Sequence, residues 1–132
     1  MDKSQGNLVN HVIFQCPNEK GKGVLVAPTV HGNLIVGPDS QPSAANDVST
    51  TKQGLDFVRN TALKSVPGIN FRESIRNFAG VRARTADHDF HIYEDKNNKG
   101  FINIAGMQSP GLSSACAIAP DILKMLENSD LH

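Results

Sequence analysis

Residues 101–114 have the sequence FINIAGMQSPGLSS, and three kinds of local structure follow one another in it. The segment from Phe101 to Ala105 is rich in residues that favour extended structure, and it predicts a strand. Residues 106–111 predict a loop, after which residues 112–126 predict a helix with Pro120 as a kink or break near its middle. This order places the first amides of the helix at the end of a short loop.

The start of the predicted helix is the first candidate binding site. The first backbone amides of a helix have no partners within it, and together with the helix dipole they suit an electron-rich or anionic group. Glycines in the preceding loop would let a ligand approach the backbone closely. The alternative is a plain strand-to-helix turn in which Ser113 caps the helix. The spacing matches no phosphate-binding glycine motif.

Two antiparallel hairpins are predicted on either side of a central helix. The first joins residues 23–28 to residues 34–36 through the turn His31-Gly32-Asn33. The second joins residues 90–93 to the strand at residues 101–105 through a hydrophilic loop.

The central helix is predicted to open at Thr50, with Gln53 at capping-box spacing, and to end before Pro67. Residues 8–15 predict a further strand, and residues 71–83 predict mostly extended chain that Gly80 interrupts. The order of strands, helix, strands and helix predicts an α+β fold with a largely antiparallel mixed sheet and two helices. Four apolar residues are expected on one face of the central helix: Leu55, Val58, Ala62 and Val66.

The chain has 132 residues, with 13 basic and 13 acidic side chains. A chain without net charge has no overall field that would attract nucleic acid, so no nucleic-acid partner is predicted. No apolar stretch reaches the roughly 20 residues of a transmembrane helix, and the N-terminus has no apolar signal region. The two cysteines are too few for a disulfide framework. We therefore expect a cytoplasmic protein without a transmembrane segment.

Other polar residues give weaker signals. Arg82 and Arg84 lie two apart on a predicted strand, where an inward arginine could clamp a carboxylate or phosphate; a pair of solvated surface arginines is the alternative. His31 could act as an acid or base near neutral pH, or be simply exposed in its turn. The run Asp87-His88-Asp89 with His91 is explained by a solvated loop, and no metal site is predicted.

Four segments read together resemble one family. They are GKGVLVAPTVHGN at residues 21–33, LIVGP at 34–38, FAGVR at 78–82 and IAGMQSPGL at 104–112. In this order they are similar to the FAD-dependent glycerol-3-phosphate dehydrogenase and 2-hydroxyglutarate oxidase branch of the D-amino-acid-oxidase-like superfamily. The resemblance covers residues 2 to 126, which is nearly the whole chain.

The resemblance implies the substrate-binding domain of an FAD-linked oxidoreductase. Residues 1–105 would form the substrate-binding (cap) domain, and residues 106–132 a flavin-contact loop and a C-terminal helix that returns to an FAD domain. The dinucleotide fingerprint of that FAD domain is absent from this sequence. We therefore expect a fragment whose partners are the remaining FAD domain and a small anionic substrate. Self-association of the isolated fragment is an open alternative.

The resemblance also implies roles for individual residues. Arg82 would face the anionic group of the substrate, and Thr29 and His31 would look toward the active-site cavity. The implied reaction is hydride removal from a carbon bearing a hydroxyl or amine onto FAD, with the catalytic residue unassigned. A stand-alone ligand-binding or assembly module without redox activity is the competing hypothesis. Residues expected to meet the flavin ring are Gly106, Ser109, Gly111, Leu112 and Ser113.

Overall fold

The computed structural model describes residues 1–17 and 23–129. These residues form two compact units, Met1–Val81 (unit 1) and Arg82–His132 (unit 2). The division at residues 81 and 82 rests on the packing of this chain, whereas the predicted boundary at residues 105 and 106 concerns the functional domains of a longer protein. That functional boundary stays a prediction.

The first hairpin lies in unit 1. Strand β1 (Leu25–Pro28) pairs antiparallel with strand β2 (Leu34–Gly37), which confirms the predicted hairpin. The amide of Gly32 donates to the carbonyl of Thr29 at 3.0 Å, and Gly32 has a φ of +83°. A left-handed residue after a tight turn is the usual way to close a three-residue hairpin loop, so glycine is needed here.

Helix α1 (Lys52–Ser65) follows the predicted polar loop. Thr51 is its N-cap, because the Thr51 hydroxyl accepts from the amide of Gly54 at 3.0 Å. The helix therefore begins one residue later than predicted. Its inward face is also narrower than predicted, since Ala62 is fully buried whereas Leu55 is exposed.

The core of unit 1 is small and lies where α1 meets the hairpin. Gln15 ties the N-terminal segment to α1, because its side-chain amide donates to the carbonyl of Thr61 at 2.9 Å and to the hydroxyl of Ser65 at 3.1 Å. The buried apolar residues are Val24, Val26, Leu34, Ala62 and Ile69.

The predicted strand over residues 8–15 is wrong. Residues Lys3–Leu8 form a 3-10 helix, which Asp2 caps by accepting from the amide of Ser4 at 2.9 Å. Only Ile13 keeps an extended pairing, as an isolated bridge to Val26. The β-branched residues of this segment were not enough, because a strand forms only where it meets a partner along its length.

The second hairpin lies in unit 2. Strand β3 (His91–Glu94) pairs antiparallel with strand β4 (Ile102–Ala105), as predicted. Helix α2 (Gly111–Asn128) follows and is continuous through Pro120, so the predicted break is not found. No helix in the two described ranges is both long and apolar enough to cross a membrane.

The α+β class is confirmed, but the sheet is not the predicted one. Across the residues described, the strands form two separate two-stranded antiparallel sheets instead of one mixed sheet. The segment predicted to be extended, residues 71–83, consists of a second 3-10 helix, Phe71–Glu73, followed by irregular chain. Apart from the isolated bridge between Ile13 and Val26, each hairpin pairs only with itself within residues 1–17 and 23–129.

Candidate functional site

The loop between β4 and α2 depends on two glycines. Gly106 has a φ of +70°, and a β-carbon there would lie 2.5 Å from the carbonyl oxygen of Asp89. A side chain at this position is therefore excluded twice, by backbone strain and by contact with another backbone segment. Gly111 is buried against Met107 and Phe90 at the first position of the helix.

The first amides of α2 are available to a ligand. Pro110 precedes the helix and offers no side-chain cap. Within the described ranges, the backbone N–H groups of Leu112 and Ser113 have no hydrogen-bond partner, which confirms the prediction made for them. The hydroxyl of Ser113 donates to the carbonyl of Pro110 at 2.9 Å, so Ser113 does not cap the helix. The Leu112 side chain is 95% exposed.

A polar turn at residues 85–89 supports this loop, and this support was not predicted from the sequence. The hydroxyl of Thr85 donates to the carbonyl of Asp89 at 2.8 Å and closes the turn. The side-chain amide of Gln108 donates to the carbonyl of His88 at 3.2 Å, which ties the loop to the turn. Gly106 packs on the same turn, so the direction in which α2 starts is set by contacts within unit 2.

Asp87 and His91 form an exposed pair in this region. The imidazole Nε2 lies 2.9 Å from one carboxylate oxygen of Asp87 and 3.0 Å from the other. The hydrogen bond from His91 is the largest of the causes that lower the pKa of Asp87 to about 2. No group of three side chains suited to hold a metal ion occurs in the part of the chain that is described.

We expect a carboxyl NMR titration of the chain to give Asp87 a midpoint near 2. Because this pKa lies below the ordinary value of about 3.9, the contribution of Asp87 to stability is present above that value and is lost as the pH falls toward 2. His91→Ala removes the largest cause, so the midpoint should rise toward the ordinary value.

Asp95 is the internal control for this titration. Its pKa is lowered first by the backbone amide of Asn97 and then by the side chain of Asn98, both in its own hairpin loop. The Asp95 midpoint should therefore not move in His91→Ala. An Asp87 midpoint that is the same with and without His91 would rule out the pair.

Arg82 was predicted to lie on a strand, and it does not. It is exposed and belongs to the irregular segment between residues 74 and 90, so the prediction of two arginines on one strand face is wrong. That segment has no neighbouring strand to pair with in the described ranges, and the strand face on which an inward arginine was expected is therefore missing. No ion pair found in those ranges involves Arg82.

Thr29 and His31 lie in unit 1, at the tip of the β1–β2 hairpin. The hydroxyl of Thr29 accepts from the amide of Asn33 at 3.1 Å, so it holds the turn together. His31 is exposed beside Val30, whose side chain is 97% exposed. Thr29 therefore stabilises the hairpin turn. The substrate contacts proposed for Thr29 and His31 stay predictions.

The family model and the known proteins that match this chain agree on one family. The family described as FAD dependent oxidoreductase matches residues 2–123. The chain is 52% identical over 129 residues to a glycerol 3-phosphate dehydrogenase of Caloramator mitchellensis, covering 97% of this chain and 27% of that protein. It is 38% identical over 128 residues to a glycerol 3-phosphate oxidase of Mycoplasma genitalium, covering 94% of this chain and 33% of that protein.

A more distant relative is the mitochondrial L-2-hydroxyglutarate dehydrogenase of Arabidopsis thaliana, 26% identical over 130 residues, with 86% of this chain and 27% of that protein covered. No solved structure matches. The chain thus spans between about a quarter and a third of the length of these relatives. Because the family match covers nearly all of the sequence, the chain belongs to the FAD-dependent oxidoreductase family.

Proposed function

We propose that the chain is part of a dehydrogenase or oxidase that oxidises a small anionic hydroxy compound, glycerol 3-phosphate or a 2-hydroxy acid. Its relatives are a glycerol 3-phosphate dehydrogenase, a glycerol 3-phosphate oxidase and an L-2-hydroxyglutarate dehydrogenase, and these activities support this class of substrate. When bound, FAD would supply the redox chemistry by accepting a hydride from the carbon that bears the hydroxyl. The proposal includes a cytoplasmic location and the remaining FAD domain as the partner of this chain.

The observation that carries the proposal is the pair of unpartnered amides at Leu112 and Ser113. An aromatic ring with electron-rich carbonyl and nitrogen atoms along one edge fits such donors, because both amides point out of the first helical turn. Gly111 is followed directly by these donors and carries no side chain that would block the approach. The donor set fits one edge of a flavin.

The remaining loop residues would shape this contact. Gly106 sets the direction of the loop through its left-handed backbone, and Ser109 is an exposed hydroxyl one residue before the helix cap. Donors that are held in place before a ligand arrives need no rearrangement when charge develops on it. We therefore assign Gly106, Ser109, Gly111, Leu112 and Ser113 to the cofactor contact.

Arg82 would bind the anionic group of the substrate, with Thr29 and His31 as further substrate contacts. A guanidinium offers two parallel donors to a carboxylate or phosphate and orients it in one plane. Arg82 suits this role because it is accessible and forms no ion pair with the other described residues. Arg82 also belongs to the same compact unit as the loop.

Arg82→Lys in the complete protein should lower kcat/KM for the anionic substrate by roughly 10- to 100-fold. The reason is loss of the bidentate fork, on the order of 1–3 kcal/mol for a charge-assisted bond. Steady-state kinetics with an artificial electron acceptor measure this change. The matched control is Arg84→Lys, an exposed arginine two residues away in the same irregular segment. Equal losses in the two variants would remove the specific role of Arg82.

The proposed function itself is tested by the visible spectrum of the complete protein. The purified protein should carry flavin absorbance, and anaerobic addition of glycerol 3-phosphate or a 2-hydroxy acid should bleach it. Uncharged glycerol serves as the control for the anionic group. Bleaching by glycerol alone, or by none of these compounds, would overturn the proposed substrate class.

A further inference from the structure

Unit 1 contains a cavity that the proposed function does not use. Its volume is about 370 Å³, near the lower end of the range for small-molecule sites. We propose that this open, mostly polar cavity binds a small anion that carries a phosphate or carboxylate group. It is lined by Arg59, Leu63, Ile69, Asn70, Phe71 and Arg72.

The charge of the cavity is the first argument. Arg59 comes from helix α1 and Arg72 from the second 3-10 helix, so the fold brings two guanidinium groups to one cavity. Neither forms an ion pair with an acidic side chain within the described ranges. An anion in the cavity would have these two guanidinium groups among its neighbours.

The hydrogen-bonding groups of the cavity point to the same ligand. The side-chain carbonyl of Asn70 already accepts from the amide of Arg72 at 3.2 Å, and the Asn70 amide donates to Gln5 at 2.8 Å. The side-chain NH2 of Asn70 is left to donate. Asn70 and the two arginines therefore present donors to the cavity, and a group that only accepts hydrogen bonds matches them.

The apolar residues of the cavity belong to its floor. Ile69 is 6% exposed and belongs to the core of unit 1, and the partly buried Leu63 and Phe71 pack against that core. The surface that the cavity presents to a ligand is therefore mostly polar. A ligand would be held here by its charged group.

The experiment is a titration of the isotope-labelled 132-residue chain, followed by amide NMR, with inorganic phosphate, butyl phosphate and butyrate as separate probes. Saturable shifts confined to the amides of Asn70, Phe71 and Arg72 are expected, with dissociation constants in the roughly millimolar range for exposed charges. Butyl phosphate and inorganic phosphate should bind with similar dissociation constants, because the cavity exposes little apolar surface. Comparison of butyl phosphate with butyrate tells which headgroup the site prefers.

Arg59→Gln and Arg72→Gln should each weaken butyl phosphate binding at least about tenfold, by loss of a charge-assisted contact. The matched control is Arg76→Gln, an exposed arginine of the same unit outside the cavity, which should bind as the wild type does. Unsaturable shifts spread over many arginines, or equal binding in all three variants, would overturn the proposal.

Two further measurements test the site even if a Gln variant does not fold. Added sodium chloride should weaken binding to the wild-type chain, since screening acts on accessible charges. Arg72→Lys, which keeps the charge, should weaken binding less than Arg72→Gln. A dissociation constant for butyl phosphate that does not change with the sodium chloride concentration would also contradict the proposed site. The flavin spectrum of the complete protein is a separate readout, so failure here leaves the proposed function intact.

Discussion

Gly6→Ala is expected to destabilise unit 1 by about 3 kcal/mol, the upper part of the range for an overpacked site. Gly6 is buried in the N-terminal 3-10 helix, and a β-carbon built on it would overlap the carbonyl oxygen of Gly32. The atom in the way belongs to the backbone of a tight hairpin turn, so it cannot swing aside as a side chain would. Urea unfolding of the chain, followed by circular dichroism, measures the loss.

Gly80→Ala is the matched control for this substitution. A β-carbon at Gly80 would meet no atom within 4 Å, and Gly80 does not have a left-handed backbone. The change should therefore be neutral or slightly stabilising, because alanine restricts the unfolded chain. If Gly6→Ala and Gly80→Ala unfold at the same urea concentration, Gly6 does not pack closely against Gly32 as the structure has it.

The contact between Gly6 and Gly32 also bears on the proposed substrate residues. Gly32 closes the turn that carries His31, and Asn33 in the same turn donates through its side chain to the carbonyl of Met1 at 3.1 Å. The N-terminal segment thus holds the turn from two sides. A residue that touches no substrate can in this way fix the position of one proposed to do so.

Local signals predicted the hairpins and the helices well. The turn containing Gly32 and the hydrophilic loop after Glu94 both sit between short apolar runs, and such turns act over a few residues. Thr51 is one residue from the predicted cap because the capping-box spacing to Gln53 favoured the first of two adjacent threonines, Thr50 and Thr51. Only geometry distinguishes which hydroxyl reaches the amide of Gly54.

Longer-range pairing could not be predicted in the same way. Ile75, Phe78 and Val81 have the composition of a strand, yet all three are exposed in irregular chain. A strand gains its stability from a partner and from burial, and these depend on the rest of the fold. The position of Arg82 was wrong for this reason, since its predicted orientation depended on the strand.

The candidate site was predicted only where it depends on a helix terminus. The unpaired amides of Leu112 and Ser113 follow from helix geometry, so the sequence was sufficient. The bond from Gln108 to His88 could not be predicted because it joins residues 20 apart in the sequence through a side chain–backbone contact. The bond from Thr85 to Asp89 spans only four residues, but it lies in a turn whose composition also fits a solvated loop. The spacing of four between Asp87 and His91 is a usable signal for their pair.

The isolated 132-residue chain is expected to be colourless and without turnover. FAD affinity in this kind of protein should come mainly from the adenosine and pyrophosphate ends, which need a glycine-rich turn after a strand. None of the 11 glycines forms that fingerprint. Two free amides, each worth about 0.5–1.5 kcal/mol net, do not offset an association cost of at least about 4 kcal/mol, so binding should be millimolar or weaker.

A titration with FAD, followed by flavin fluorescence, measures this affinity, with the complete protein as the positive control. The chain should leave the fluorescence unchanged at micromolar concentrations, whereas the complete protein should alter it. Micromolar binding by the chain alone, or oxidation of glycerol 3-phosphate or a 2-hydroxy acid with a dye acceptor, would show that the loop before α2 is a far stronger flavin site than two amides explain. In that case the first turn of α2 would need further contacts from unit 2, and the supporting turn at residues 85–89 would be the place to look for them.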